Sequence, residues 1–287
     1  MKGTLLRSRR PAEPGLGKGE PSRFTRPSVF VSLVWLVVLA FVLHGWSQGV
    51  ALYPADLIDG SARLSTFLAD AFPPNIDRLG AIASSLLVTF QIALLGAIIG
   101  VILSFPLGVF AARNTSPHPL IYAVTRGFVS VCRTIPDLVW ALLFVVAVGL
   151  GPEAGVLAIT VDVMGLCGRF FAEAIEEIDK GVLDGLRAGG APWWAVIVGG
   201  VLPTCLPSFI GTSLFALEGA VRSAVTVGLV GAGGIGIELS VAMSLLRYDE
   251  ALTIILAIFV VVLTVERVSS ALRRRVMEGD PMKGMAS

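Results

Sequence analysis

The sequence predicts an all-α protein that crosses a membrane several times, and three observations carry that expectation. The chain is 55% hydrophobic and only 15% charged, with a mean hydropathy of +0.83, outside the range of ordinary soluble domains. Its apolar residues fall in runs that reach the ~20 residues a helix needs to span a bilayer. Arginines and lysines collect in the tails and on alternate connections, which sets an orientation with the basic connections in the cytoplasm. The net charge of +1 is not gathered on one face, so nucleic acid is not an expected partner.

Residues 1–27 hold seven basic and two acidic residues among Pro and Gly and read as a cytoplasmic tail. Residues 28–47 follow as a first transmembrane helix. A secretory signal peptide is the alternative; the long leader and the missing small-x-small cleavage site speak against it. Residues 48–78, with Pro54, Pro73 and Pro74, form an outer loop with room for one short interfacial helix. Residues 79–112 are 34 positions without a charge, which implies a tilted or kinked span, with Pro106 as the kink or the point of exit from lipid. Arg113, Arg126 and Arg133 have no acidic residue between them, so a cytoplasmic turn and an outward span over 120–150 come next. Gly149, Gly151 and Pro152 close an outer turn, and 154–172 returns inward. A charged loop, 173–193, is then cytoplasmic. Residues 194–217 cross outward despite Pro203 and Pro207. The glycine-rich stretch 223–237 is too short to span, and counting it as a span would put Arg273, Arg274 and Arg275 outside. A re-entrant or broken-helix element keeps them inside. The last span covers 249–268, within a core of 79–270, and 271–287 is a cytoplasmic tail. The total is six transmembrane helices with both termini cytoplasmic.

Chemistry within the chain has little support. Cys132, Cys167 and Cys205 stand singly in apolar surroundings with no metal-ligand spacing, and His44 and His118 have no triad partners. No metal and no catalytic residue is expected. Gly231, Gly233 and Gly236 spell G-x-G-x-x-G, and Asp249 or Glu250 lies near the offset of a ribose-binding acid. That fingerprint works only between a strand and a helix of a soluble unit, so Gly231, Gly233, Gly234 and Gly236 are expected to permit close packing or bending, as a gate or hinge. No Walker-A pattern occurs, so the chain cradles no ATP phosphates.

Interior charges are costly in a membrane and mark pathways or pairs. Arg133 and Asp137 stand four apart around Pro136, on one face of the expected third span, either as an ion pair or on a pathway. Asp162 lies midway along the fourth span, too deep to reach water easily. Arg222, beside Ser223 and Thr226, suits brief contact with an oxyanion because a guanidinium matches its oxygens; an i,i+4 bridge to Glu218 is the plainer alternative.

The segment most suited to another protein runs over 171–207. Glu173, Glu176, Glu177, Asp179 and Asp184 lie among Arg169, Lys180 and Arg187, then Gly189, Gly190 and Pro192 stop the helix and Trp193 and Trp194 mark a membrane interface. One or two short surface helices closed by a turn are expected. The stretches FAEAIEEID, GLRAGGA and VLPTCLPSFIG within it, with VRSAVTVGLVGAGGIG at 221–236 and LLFVVAVGLGPEAGVLAI at 142–159, make residues 80–270 resemble the phosphonate branch of ATP-binding cassette importer permeases. Those permeases carry a cytoplasmic loop of pattern E-A-A-x3-G-x9-I-x-L-P. Gly190, Leu202 and Pro203 match it, Asp184 replaces the glutamate, Gly185 and Leu186 replace the alanines, and Gly200 replaces the isoleucine.

The resemblance implies a type I importer fold in which Asp184, Gly185, Leu186, Arg187, Gly190, Ala191, Leu202 and Pro203 engage a cytoplasmic ATPase present in two copies. It also implies a second copy of this chain, an extracytoplasmic phosphonate-binding protein, and ATP with Mg used only by the partner ATPase, in a bacterial plasma membrane. Three other readings stay open: a type I importer permease for another small solute, a secondary transporter coupled to protons or sodium through Asp137 and Asp162, and a membrane scaffold that carries nothing.

Overall fold

A computed structural model of the chain describes residues 29–47 and 54–278. The expected tail at 1–27 and the last nine residues of the expected C-terminal tail lie outside the described residues. The chain divides into two compact units, residues 1–63 and 64–287. In the first, α1 (Val29–Ser47) is apolar on all sides with no residue buried, as a helix solvated by lipid should be. An amphipathic helix, α2 (Pro54–Ala71), occupies the stretch expected to be an outer loop.

The second unit is a helical bundle of α3 (Leu79–Ala111), α4 (Pro119–Thr134), α5 (Asp137–Val148), α6 (Pro152–Glu176), α7 (Lys180–Ala188), α8 (Trp193–Val196), a π-helical turn (Ile197–Val201), α9 (Leu202–Gly228), α10 (Ile235–Ser244) and α11 (Tyr248–Glu278). Among the described residues of the whole chain, five helices, α1 among them, are long and apolar enough to cross a membrane, and a sixth span arises if α4 and α5 count as one.

The centre is the parallel pair α3 and α6. Gly96 faces Ile159, Gly100 faces Val163 and Gly108 faces Phe171, and a Cβ on any of these glycines would come within 2.8 Å of the facing side chain. Lipid supplies no hydrophobic drive between helices, so close backbone approach over small residues is what holds such a pair. Ser104 Oγ donates to the Gly100 and Met164 carbonyls at 2.7 and 3.3 Å, linking the helices where both are buried. α9 packs antiparallel on this pair. Phe209 meets Phe171 at a centroid distance of 4.4 Å, and Cys205 Sγ donates to the Ala174 carbonyl at 3.4 Å.

The structure corrects four boundaries. The span expected over 120–150 is broken: α4 and α5 meet at 93°, because Ile135 is extended (φ −83°, ψ 122°) and Pro136 cannot continue a helix. Arg133 and Asp137 therefore lie on different helices and share no face. The inward span expected to end near residue 172 continues to Glu176, so Glu173 and Glu176 belong to α6 and not to a surface helix. The span expected to end at Leu217 continues to Gly228, which places Arg222, Ser223 and Thr226 on a long helix and leaves only 229–234 as the break. α11 extends to Glu278, so Arg273 is part of the bundle and not of a free tail.

Candidate functional site

The charged segment forms a compact elbow at one end of the bundle. Asp179 starts α7 by accepting a hydrogen bond from the Gly181 N–H at 2.8 Å, a helix cap that satisfies one exposed backbone donor. The helix ends at Gly190, whose φ of +82° suits glycine, with the Gly190 and Ala191 N–H groups donating to the Arg187 and Leu186 carbonyls at 3.0 and 3.1 Å. Leu183 is the buried anchor, 1% exposed. Arg187 bridges to Asp184 at 3.2 Å and donates to the Asn114 carbonyl at 2.6 Å. Trp193 Nε1 donates to the Thr115 carbonyl at 2.7 Å, and its ring stacks on Phe110. The elbow is thereby fastened to the end of α3. Asp184, Gly185, Gly190 and Trp194 face outward.

Leu186 and Gly200, two of the four places where the sequence departs from the importer pattern, meet each other. A Cβ on Gly200 would lie 2.7 Å from Leu186 Cδ1. The large residue on α7 fits because the facing residue has no side chain, so the two departures compensate. Gly200 lies within the π-helical turn, whose end brings the Leu202 N–H to the Ile197 carbonyl, and Pro203 follows in the first turn of α9, where a proline is tolerated. Leu202 and Pro203 thus open α9, which carries the elbow's position into the bundle.

Beside the elbow, Arg113 Nε donates to the Tyr122 hydroxyl at 3.0 Å. That bond, together with the nearby Glu176, raises the already high pKa of the guanidinium, so its charge is permanent. Glu176 Oε1 also accepts from the Arg113 N–H at 3.0 Å and from Arg126 at 3.2 Å.

The interior charges separate into two groups. Arg133, Asp137 and Asp162 come from α4, α5 and α6, and both Arg133 and Asp137 lie within electrostatic reach of Asp162. The Arg133–Asp137 ion pair, one of the two readings of that spacing, is not formed: the Arg133 guanidinium lies over the Phe170 ring at 5.6 Å, and Asp137 accepts from the Leu138 N–H at 2.8 Å. In the second group, Arg222 reaches Glu218 at 2.6 Å, the plainer of the two expectations, and Arg273 approaches the same carboxylate at 3.9 Å from α11. Glu218 is 8% exposed. Arg222 and Thr226 nevertheless share an exposed face of α9 with Thr204 and Ser208, a polar stripe interrupted midway by the exposed Phe215. Ser223 lies at the edge of that stripe.

Gly231, Gly233 and Gly234 have φ of +93°, +88° and +76° in the turn between α9 and α10. The turn is locked: the Gly151 N–H donates to the Gly231 carbonyl at 3.1 Å, and the Ile235 N–H donates to Thr89 Oγ1 at 2.7 Å. Gly236, within α10, packs its backbone on Gly228. No strand occurs among the described residues, so the G-x-G-x-x-G spelling has none of the context that binds a dinucleotide.

This arrangement has counterparts among known proteins. The profile of the binding-protein-dependent transport system inner membrane component family matches residues 104–278. This chain belongs to that family. As a permease component it is 36% identical over 244 residues to the phosphite transport system permease protein PtxC of Stutzerimonas stutzeri, covering 85% of this chain and 87% of that one. It is 39% identical over 206 residues to the phosphate-import permease protein PhnE of Mycolicibacterium smegmatis, covering 71% of this chain but only 39% of that protein's length. Among solved structures, the inward-facing MetNI methionine ABC transporter superposes at a TM-score of 0.62 with 19% identity, over 70% of this chain and 99% of that chain. An amino acid ABC transporter superposes at 0.59 with 20% identity, over 70% and 96%. These two structures place the permease bundle in the type I importer fold. The work of such a component is transport, not catalysis.

Three contributors to the site were not singled out from the sequence: Glu218 as a shared acceptor, Arg273 as its second partner, and Trp193 as the clasp on α3. Glu218 was visible four residues before Arg222. The other two have no local signal, because their partners are far away in the chain.

Proposed function

We propose that this chain is the transmembrane subunit of an ATP-driven importer for phosphonate or a related phosphorus oxyanion. Two copies form the pathway, and two copies of a cytoplasmic ATPase, which alone binds ATP and Mg, seat the two elbows. An extracytoplasmic binding protein delivers the cargo. The membrane is the bacterial plasma membrane, with both termini and the α7 elbow on the cytoplasmic side.

The observation that carries this reading is the elbow. α7 presents an exposed, charged face to one side, and on the other it is clasped to α3 and joined to α9 through the π-helical turn. Force applied at Asp184 or Gly190 therefore reaches two spanning helices, as coupling between two conformations requires. The cargo follows from the named transport of phosphate and phosphite by the relatives. It also fits the α9 stripe, where the Arg222 guanidinium with Ser223 and Thr226 suits an oxyanion. Arg133, Asp137 and Asp162 line the same pathway at the α4–α5 break. Gly231, Gly233, Gly234 and Gly236 form its outer gate.

The test is uptake of a phosphonate by cells carrying Asp184→Lys with Gly190→Pro, together with co-purification of the ATPase. Proline at 190 cannot adopt φ +82° and removes the N–H that closes α7. Uptake and ATPase recovery should both fall sharply, with Asp184→Lys alone as a milder case. Undiminished uptake with full ATPase recovery would refute the docking role.

A further inference from the structure

Between α4 and α6, towards the elbow end of the bundle, lies a cavity of about 440 Å³ lined by Arg126, Arg133 and Arg169 together with Ser130 and Thr134. No carboxylate belongs to its wall. Arg126 is paired with Glu176 at 3.2 Å and Arg169 with Glu173 at 2.7 Å, so two of the three guanidinium groups are compensated from outside the wall. Arg133 has only the Phe170 face, and among the described residues no carboxylate stands within ion-pair distance of it. Three guanidinium groups thus line one space, and Arg133, with Asp162 only at longer electrostatic range, has its fork engaged by no carboxylate.

We propose that this cavity is a binding site for a tetrahedral oxyanion, held by Arg133 with help from Arg126 and Arg169. The donor set defines what it recognises. Ser130 Oγ donates to the Arg126 carbonyl at 2.8 Å and Thr134 Oγ1 to the Ser130 carbonyl at 2.7 Å, so both hydroxyl protons are committed to the helix and neither reaches the cavity. Recognition rests on the guanidinium forks, which match pairs of oxygens on phosphorus. Such a site reads charge and oxygen geometry, and it is indifferent to the fourth substituent. The space exceeds a single small oxyanion, leaving room for its water or an organic substituent.

The ligand has two possible sources with one chemistry: the phosphorus oxyanion leaving the pathway, which rests on the proposed transport function, or the phosphate of an anionic lipid headgroup, which does not. The experiment uses the full chain in a phosphate-free maltoside detergent. Equilibrium binding of radiolabelled inorganic phosphate is measured alongside native mass spectrometry for retained phosphatidylglycerol. Arg133→Gln should weaken whichever ligand is found by ~10-fold or more, the scale of one lost charge-assisted hydrogen-bond pair. Arg133→Lys should recover part of the loss, and Arg169→Gln on the opposite wall should shift binding in the same direction. Phosphate binding that depends on Arg133 supports the free anion as ligand, and Arg133-dependent retention of phosphatidylglycerol without phosphate binding supports the headgroup. Binding of neither, or binding unchanged in Arg133→Gln, overturns the site. Phosphonate uptake is scored in parallel: uptake without any binding sinks the cavity alone, while Arg133-dependent binding without uptake of any phosphorus oxyanion sinks the cargo alone.

Discussion

Leu186 and Gly200 show how a single contact governs the elbow. Gly200→Ile on its own would drive a branched side chain into Leu186 Cδ1, now 2.7 Å from where its Cβ would lie, costing about 1–3 kcal/mol by overpacking. Leu186→Ala alone would open a gap beside the buried Leu183 and also destabilise. The double variant restores the residue sizes of the importer pattern, and it should recover most of the loss. Thermal unfolding of the four proteins in detergent measures the coupling directly. Additive losses would show that the two residues do not compensate.

At the scale of elements, Glu218 joins α9 to α11. Its carboxylate is buried, with Arg222 one turn along the same helix at 2.6 Å and Arg273 across the helix pair at 3.9 Å. Replacing one member of such a cluster leaves the others without a counter-charge, which costs more than the intact pair contributes. Glu218→Gln should therefore lower stability by about 1.5–3 kcal/mol, the worth of a hydrogen bond to a charged group. Arg273→Gln, at the longer distance, should cost less. Thermal melts of both variants check the order, and an equal or reversed effect would remove Arg273 from the link. A second feature at this scale is the break at Pro136, where α4 and α5 diverge by 93°. That bend puts Arg133 and Asp137 on different helices, where a straight helix would have set them on one face as an i,i+4 pair.

For the whole molecule, the decisive quantity is which way the bundle faces. The elbow at Asp184 and the segment around Ile76 lie at opposite ends of it: Asn75 is tied to Asp249 at 3.1 Å, at the start of α11, whereas Asp184 is tied through Arg187 to the end of α3. In intact cells, a membrane-impermeant thiol reagent should modify Ile76→Cys and leave Asp184→Cys untouched until the membrane is opened. The native cysteines Cys132, Cys167 and Cys205 are buried and should contribute little background. The reverse pattern would place the elbow outside, out of reach of any cytoplasmic ATPase, and the proposed coupling would fail with it.

The sequence by itself determined the fold class, the apolar segments and the charged elbow between the fourth and fifth crossings. Those features are written locally: a helix must be apolar for ~20 residues to rest in lipid, and basic residues mark the connections by composition alone. It also offered the Arg222–Glu218 pair as one of two readings of Arg222, since four residues is one helical turn. Only the tertiary structure decided where helices end and what their odd residues meet. The break at Ile135–Pro136 is flanked by Arg133 and Asp137, but its 93° angle is not written there, because hydropathy does not sense direction. The fit of Leu186 to Gly200, the clasp of Trp193 on Thr115 and the reach of Arg273 to Glu218 each join residues distant in the chain. Such contacts depend on how backbones approach in space, and no window of sequence contains both partners.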